Sequence, residues 1–238
     1  MRFRALHRWD LAPAEAAALQ RRLAARVVER PLPRLPELVA GVDCGYSKTT
    51  DTMYAAVVLC RMRRDGSGAK AEVLEEVSGA SRPPMPYVPG LLSFRELPAV
   101  LDCLRRLSGR PGAAIVDGQG RAHPRRFGLA CHLGVILGIP TAGCAKSVLV
   151  GEFREPAARR GSRSPMRHRG QTVGLALRTR DGVRPVYVSV GHLLDLAGAA
   201  RLVLGCTAGF RLPEPARLAH ALGTRARLAA EGHKSGHG

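Results

Sequence analysis

Asp43 and Asp117 each close a short apolar run that reads as a β-strand, Leu38-Val39-Ala40-Gly41-Val42 and Ala113-Ala114-Ile115-Val116. If those strands lie side by side, both carboxylates reach one edge of a sheet. Like charges held that close repel unless a cation sits between them. Hard oxygen donors select Mg²⁺ or Mn²⁺, and such sites orient water and stabilise charge on a phosphate undergoing displacement. A single acid after a strand is more often a turn former or a helix cap. Two of them in a strongly basic chain shift the balance toward a metal.

Other residues fall into place around that edge. Lys146 follows the apolar run 139–145 and would share the edge if that run is a strand parallel to the other two; a cation there suits a phosphate. His123 lies in the polar stretch Asp117-Gly118-Gln119-Gly120-Arg121-Ala122-His123-Pro124-Arg125-Arg126, where it could meet a phosphate or a bound water. Tyr87 is fenced by prolines in Pro86-Tyr87-Val88-Pro89-Gly90, and a rigid loop of that kind either presents its ring as a wedge between bases or packs it beneath the turn. Glu96, taken alone, reads as an ordinary acid on a helix, and His220 as a histidine on a helix surface. Cys131 and His132 are neighbours on a helix and cannot face the same way, which argues against a Cys-His nucleophilic pair.

Charge narrows the partner. Of 238 residues, 37 are Lys or Arg and 19 are Asp or Glu, a net charge of +18 that calls for a polyanion. Nucleic acid is the leading reading, since phosphates bind Lys and Arg with release of condensed counterions. An anionic membrane surface would require a strongly amphipathic basic helix or a lipidation signal, and neither is evident beyond the N-terminal segment. The six cysteines form no CxxC pair and sit mostly in apolar stretches, as small buried thiols of a reducing compartment do. With no signal-like leader and no run of membrane-spanning length, a cytoplasmic monomer is expected, with no membrane partner.

The elements that must position these groups follow from periodicity. The pattern predicts a helix over 10–30, with Arg21, Arg22, Arg26 and Arg30 on its polar face, stopped by Pro31, Pro33 and Pro36. Strands over 38–43, 53–60 and 72–77, joined by turn-rich segments, suggest an antiparallel meander. Then come a helix over 91–107, a strand over 113–117, a helix over 127–137, a strand over 139–145, a hairpin over 171–177 and 183–190, and helices over 193–204 and 215–230. Residues 151–170, dense in Arg with little that is apolar, read as a mobile basic loop, and 231–238 as a disordered tail. Residues 1–230 are expected to form a single domain.

Taken together, several of these segments resemble the endonuclease V family. They are Gly41-Val42-Asp43; the block from Pro86 through Glu96; the block from Val116 through Arg126; Gly143-Cys144-Ala145-Lys146-Ser147; Gly191-His192; and Arg211-Leu212-Pro213-Glu214-Pro215. The resemblance implies an RNase H-like α/β fold: a mixed sheet whose first three strands are antiparallel and whose later strands are parallel, flanked by helices. It implies a metal centre of Asp43, Glu96 and Asp117, with His220 a further ligand candidate. Tyr87 would be the strand-separating wedge, and Lys146 and His123 contacts near the scissile phosphate. A flipped hypoxanthine would lie against main chain around Leu92, Gly118 and Gly120. The implied reaction is Mg²⁺-dependent hydrolysis, with Mn²⁺ as substitute, of the second phosphodiester bond 3′ to deoxyinosine in DNA, leaving a 3′-hydroxyl and a 5′-phosphate. Inosine-containing RNA is the alternative substrate. A basic protein that binds nucleic acid without cutting it is the alternative from charge alone. The resemblance assigns no role to the N-terminal helix or to the arginines of 154–169.

Overall fold

The computed structural model describes residues 1, 3, 6–65 and 68–232. Eight strands form one sheet in the order β3-β2-β1-β4-β5-β8-β7-β6. β1 (Leu38–Tyr46), β2 (Met53–Asp65) and β3 (Gly68–Ser81) are the predicted antiparallel meander. β2 and β3 run well past the predicted apolar runs. Their outer halves are polar and pair through backbone, helped by Arg61 facing Glu72 at 3.3 Å, so the apolar pattern understates their length. β4 (Ala113–Val116) lies parallel to β1, and β5 (Thr141–Ala145) parallel to β4.

The parallel pairing expected of the later strands is confined to β4 and β5. β6 (Arg163–His168), β7 (Gln171–Leu177) and β8 (Val186–His192) continue the sheet antiparallel. β6 lies within the stretch read as a mobile loop, and that expectation is corrected. Met166, fully buried, packs with Ala122, Val173 and Ala176, while Phe153 sits 5.4 Å from the ring of Tyr187. The β6–β7 turn is Arg169-Gly170, both at positive φ (53° and 74°), the backbone of a two-residue type I′ hairpin. Two apolar side chains and a hairpin turn order a segment whose composition is otherwise that of a loop.

Helices cover both faces. On one lie α2 (Leu92–Arg106) and α3 (Leu129–Leu137), against Ala40, Val42, Val57 and Val116; on the other lie α4 (Leu196–Gly205) and α5 (Glu214–Gly232), against Val39, Val58, Ala113 and Ile115. The alternation is the period of two of a strand buried on both faces. α1 (Pro13–Ala24) is shorter than its pattern predicts. Beyond it the Val28 N–H donates to His192 Nδ1 (3.2 Å) and the Val28 carbonyl accepts from Leu193 (2.7 Å), so tertiary hydrogen bonds to the end of β8 replace the last helical turn. Glu231 and Gly232, assigned to a disordered tail, belong to α5; 233–238 lie outside the described residues.

Candidate metal centre and adjoining pocket

The register of the three parallel strands sets the site. Val42 pairs with Val116, and Val116 with Gly143, so the strands carry Asp43, Asp117 and the Ala145-Lys146 junction to the same edge. Asp43 lies inside β1 rather than at its end, and the Asp117 N–H donates to the Val42 carbonyl (2.9 Å), which locks the two acids side by side. Asp43 shares its side of the strand with Gly41, where the backbone of α5 presses so close that a Cβ would stand 1.8 Å from the Pro215 carbonyl oxygen. That close approach lets α5 deliver His220.

Ligand atoms of Asp43, Asp117 and His220 all lie within 4.8 Å of one another. His220 Nδ1 is 2.8 Å from Asp43 Oδ2, and Lys146 Nζ is 2.5 Å from Asp117 Oδ2 and 3.3 Å from His220 Nδ1. Burial, and then the neighbouring Asp117 charge, push the Asp43 carboxyl up to about 6, against the pull of His220 and Lys146. Two carboxylates and an imidazole crowded in this way fit a divalent cation, which would relieve the repulsion that Lys146 only partly offsets.

Glu96 stands slightly apart. It arrives from α2, on the opposite face of the sheet, and is 5% exposed. Tyr46, at the end of β1, donates its hydroxyl to Glu96 Oε1 (2.9 Å). Burial pushes the Glu96 carboxyl up to about 8, with Asp43 and Asp117 adding to the rise. It is therefore near enough to feel both acids but outside the tight group of three. Tyr46 went unnoticed in the sequence because nothing marks a tyrosine three residues past an aspartate as the partner of a helix acid.

A pocket of about 330 Å³ opens beside Asp117 and Lys146. Leu92, Ser93, Gly118, Gln119, Leu129 and Val148 form much of its wall, and Tyr87 stands on it 67% exposed. Pro86 and Pro89 bracket Tyr87 and are exposed like it, whereas Val88 turns inward against Leu91 and Phe94. Two expectations change here. Gly120 is not on the pocket surface: it is buried against β8, where a Cβ would meet the Val190 carbonyl oxygen at 2.0 Å and its N–H donates to Ser189 Oγ (2.8 Å). His123 does line the pocket, but both ring nitrogens are engaged. Nε2 donates to the Gly90 carbonyl (3.0 Å) and Nδ1 accepts from the Arg125 N–H (3.1 Å), so it pins the Tyr87 loop rather than offering a free nitrogen to a phosphate. Burial and the adjacent Arg125 lower it to about 4, which keeps the ring neutral.

Gln20 is the lining residue that sequence reasoning missed and could have found. It is a polar side chain on the buried stripe Ala16, Gln20, Leu23 of α1. Its amide donates to the carbonyls of Gly90 (3.1 Å) and Phe127 (2.7 Å) and accepts from Arg125 Nε, which ties α1 to the pocket.

A mixed sheet that gathers two carboxylates, an imidazole and an ammonium beside a pocket, in a chain of charge +18, defines a phosphate-directed, nuclease-type site. Comparison with known proteins agrees. The sequence model of the endonuclease V family matches residues 21–221. An endonuclease V of Myxococcus xanthus is 48% identical over 216 residues, 90% of this chain and 89% of that protein. Another, of Geotalea uraniireducens, is 53% identical over 198 residues, 83% of this chain and 81% of that protein. The crystal structure of endonuclease V from Streptomyces avermitilis has 42% sequence identity and superposes with a TM-score of 0.86 over 94% of this chain and 96% of that one. The chain belongs to the endonuclease V family and is an endonuclease.

Proposed function

We propose that the protein cuts DNA near deoxyinosine, hydrolysing the second phosphodiester bond 3′ to the lesion with Mg²⁺, or Mn²⁺ in its place, and leaving a 3′-hydroxyl and a 5′-phosphate. The observation that carries this reading is the cluster of Asp43, Asp117 and His220 beside a pocket that Asp117 itself lines. Those three side chains would hold the cation, with Glu96 completing its surroundings. When bound, the ion supplies charge stabilisation at the phosphate and orients a water for in-line attack.

The remaining steps belong to the chain's own residues. Tyr87, exposed on a loop stiffened by two prolines, enters the duplex and stacks where a base has left. The flipped hypoxanthine occupies the pocket against the main chain of Gly118 and the side chains of Leu92 and Leu129. Gln20 and His123 hold Gly90, and hence the wedge loop, against that base. The Lys146 ammonium, paired with Asp117 in the free protein, turns to the scissile phosphate and offsets charge that builds there. One feature supports a cytoplasmic setting: all six cysteines are free thiols. The test is cleavage of matched inosine-containing DNA and RNA oligonucleotides with and without Mg²⁺. Mg²⁺-dependent nicking of the DNA at the second 3′ bond is expected; an intact DNA strand contradicts the proposal, and a faster RNA reaction moves it to ribonucleic acid.

A further inference from the structure

Two groups of arginines with no part in that chemistry meet at the sequence neighbours Arg125 and Arg126. Arg125 donates Nη2 to the Gly90 carbonyl (2.7 Å) and Nε to Gln20, and the residue after Gln20 on α1 is the exposed Arg21. Arg126, at a φ of 57°, donates Nη1 to His168 Nδ1 and Nη2 to the His168 carbonyl, both at 2.9 Å. This fastens the loop after β4 to the β6–β7 hairpin, whose turn exposes Arg169 beside the exposed Arg167. The charges are close enough to oppose one another: Arg21 bears on Arg125, and Arg121 and Arg169 on Arg126.

Little neutralises them. Glu29 pairs with Arg121 at 2.8 Å, and Glu152 meets Arg167 only through backbone hydrogen bonds. Among the described residues, Arg21, Arg167 and Arg169 make no ion pair with an acid. A fold that clamps Arg125 and Arg126 by hydrogen bonds while leaving their neighbours unneutralised is arranged for an external anion with repeated charges.

We infer that the ridge from Arg21 through Arg125 and Arg126 to Arg169 is a track for the sugar–phosphate backbone on the 5′ side of the base held in the pocket. Its direction rests on the proposed reaction. The pocket connects the two regions: Asp117 and Lys146 line it together with Gln20 and Gly90, and Arg125 is bonded to the latter pair. A strand whose base fills the pocket, and whose 3′ phosphates cross the acidic cluster, leaves with its 5′ phosphates on the ridge. A second, shallow depression, lined in part by Val148, Leu149, Arg167 and Arg169, shares Val148 and Leu149 with the pocket wall, so the surface is unbroken as far as the hairpin. The ridge thus gives the N-terminal helix and the basic hairpin a common role.

The full-length protein carrying both Arg21→Gln and Arg169→Gln tests this. Among the described residues neither side chain has an ion-pair partner, so the melting temperature should not move. Single-turnover cleavage in Mg²⁺ is followed at several salt concentrations on inosine DNA with a 3′ flank of about twelve nucleotides and a 5′ flank of either about twelve or about two; at about 3.4 Å per nucleotide these 5′ flanks reach about 41 Å and about 7 Å from the lesion. On the long 5′ flank the half-saturating protein concentration should rise about tenfold with the saturated rate unchanged. The log–log salt dependence should fall by about 1.4–1.8, since each of the two phosphates no longer neutralised contributes about 0.7–0.9. On the short 5′ flank the variant should match wild type, and Arg110→Gln, at the far end of β4, should match wild type on both. An equal loss on both substrates, a loss that follows the 3′ flank instead, or no loss overturns the ridge while leaving the proposed reaction standing. A wild-type protein that cuts neither substrate overturns both.

Discussion

His220 Nδ1, on α5, lies 2.8 Å from Oδ2 of Asp43, on β1, although the two residues are 177 positions apart in the chain. The contact depends on how closely the start of α5 approaches β1, and Gly41 controls that approach. A Gly41→Ala methyl would stand 1.8 Å from backbone rather than from a flexible side chain, so the helix must move. The expected cost is about 2–4 kcal/mol of stability, at the upper range of overpacking, measured by denaturant unfolding. The variant should also lose most of the cation-induced rise in melting temperature, because His220 moves with the helix. Wild-type stability and response would contradict this.

Cation binding should release protons. In the metal-free protein Glu96, raised to about 8, is mostly protonated at neutral pH, while Asp43, raised to about 6, is mostly ionised. A divalent ion favours the ionised forms, so about one proton should leave per ion bound near pH 7, and affinity should rise between pH 6 and 8. Calorimetric titration with Mg²⁺ or Mn²⁺ in two buffers of different ionisation enthalpy reads this directly. Heats independent of the buffer would contradict it.

The acid side of the stability profile should carry the mark of His123. Its folded form is held neutral, with a value lowered to about 4 from an ordinary 6.5. The unfolded chain therefore binds the extra proton between those limits, and this contribution to stability, full above pH 6.5, is lost as pH falls toward 4. Asp43 and Glu96 are shifted upward and act in the opposite sense, so the informative quantity is the difference between wild type and His123→Gln. From pH 7 to 5 wild type should lose about 1–2 kcal/mol more than the variant. Parallel profiles would show that the ring titrates normally.

Tyr87 separates binding from folding. At 67% exposure its replacement by Ala should leave stability within about 0.5 kcal/mol of wild type. Affinity for inosine duplex should fall about tenfold, within the range of one lost base–aromatic stack, as read by fluorescence anisotropy. An unchanged affinity would return Tyr87 to the role of an ordinary surface residue.

These residues also mark how far the sequence was legible. Asp43 and Asp117 were visible because an apolar run closed by an acid is a local pattern, and parallel register then does the rest. Glu96 and His220 are delivered by helices from opposite faces of the sheet, through packing between distant segments that no local periodicity encodes, and only the family resemblance named them. The ordered hairpin at 163–177 was hidden because Met166 and Phe153 supply its packing amid many arginines. His123 was expected beside the phosphate; its ring nitrogens are instead occupied by Gly90 and Arg125, which reach it through tertiary structure that the local sequence does not encode.

Cleavage beside deoxyinosine by this acidic cluster is tested by one assay: a labelled duplex with a single deoxyinosine, incubated with wild type or Asp43→Ala, with Mg²⁺ or with chelator. The expected result is one nick at the second phosphodiester 3′ to the lesion, ending in a 3′-hydroxyl, seen with wild type and Mg²⁺ and reduced at least about a hundredfold in the other arms, the scale of losing a group that stabilises transition-state charge. Equal nicking by Asp43→Ala, or an intact inosine strand with the wild-type protein and Mg²⁺, would contradict it.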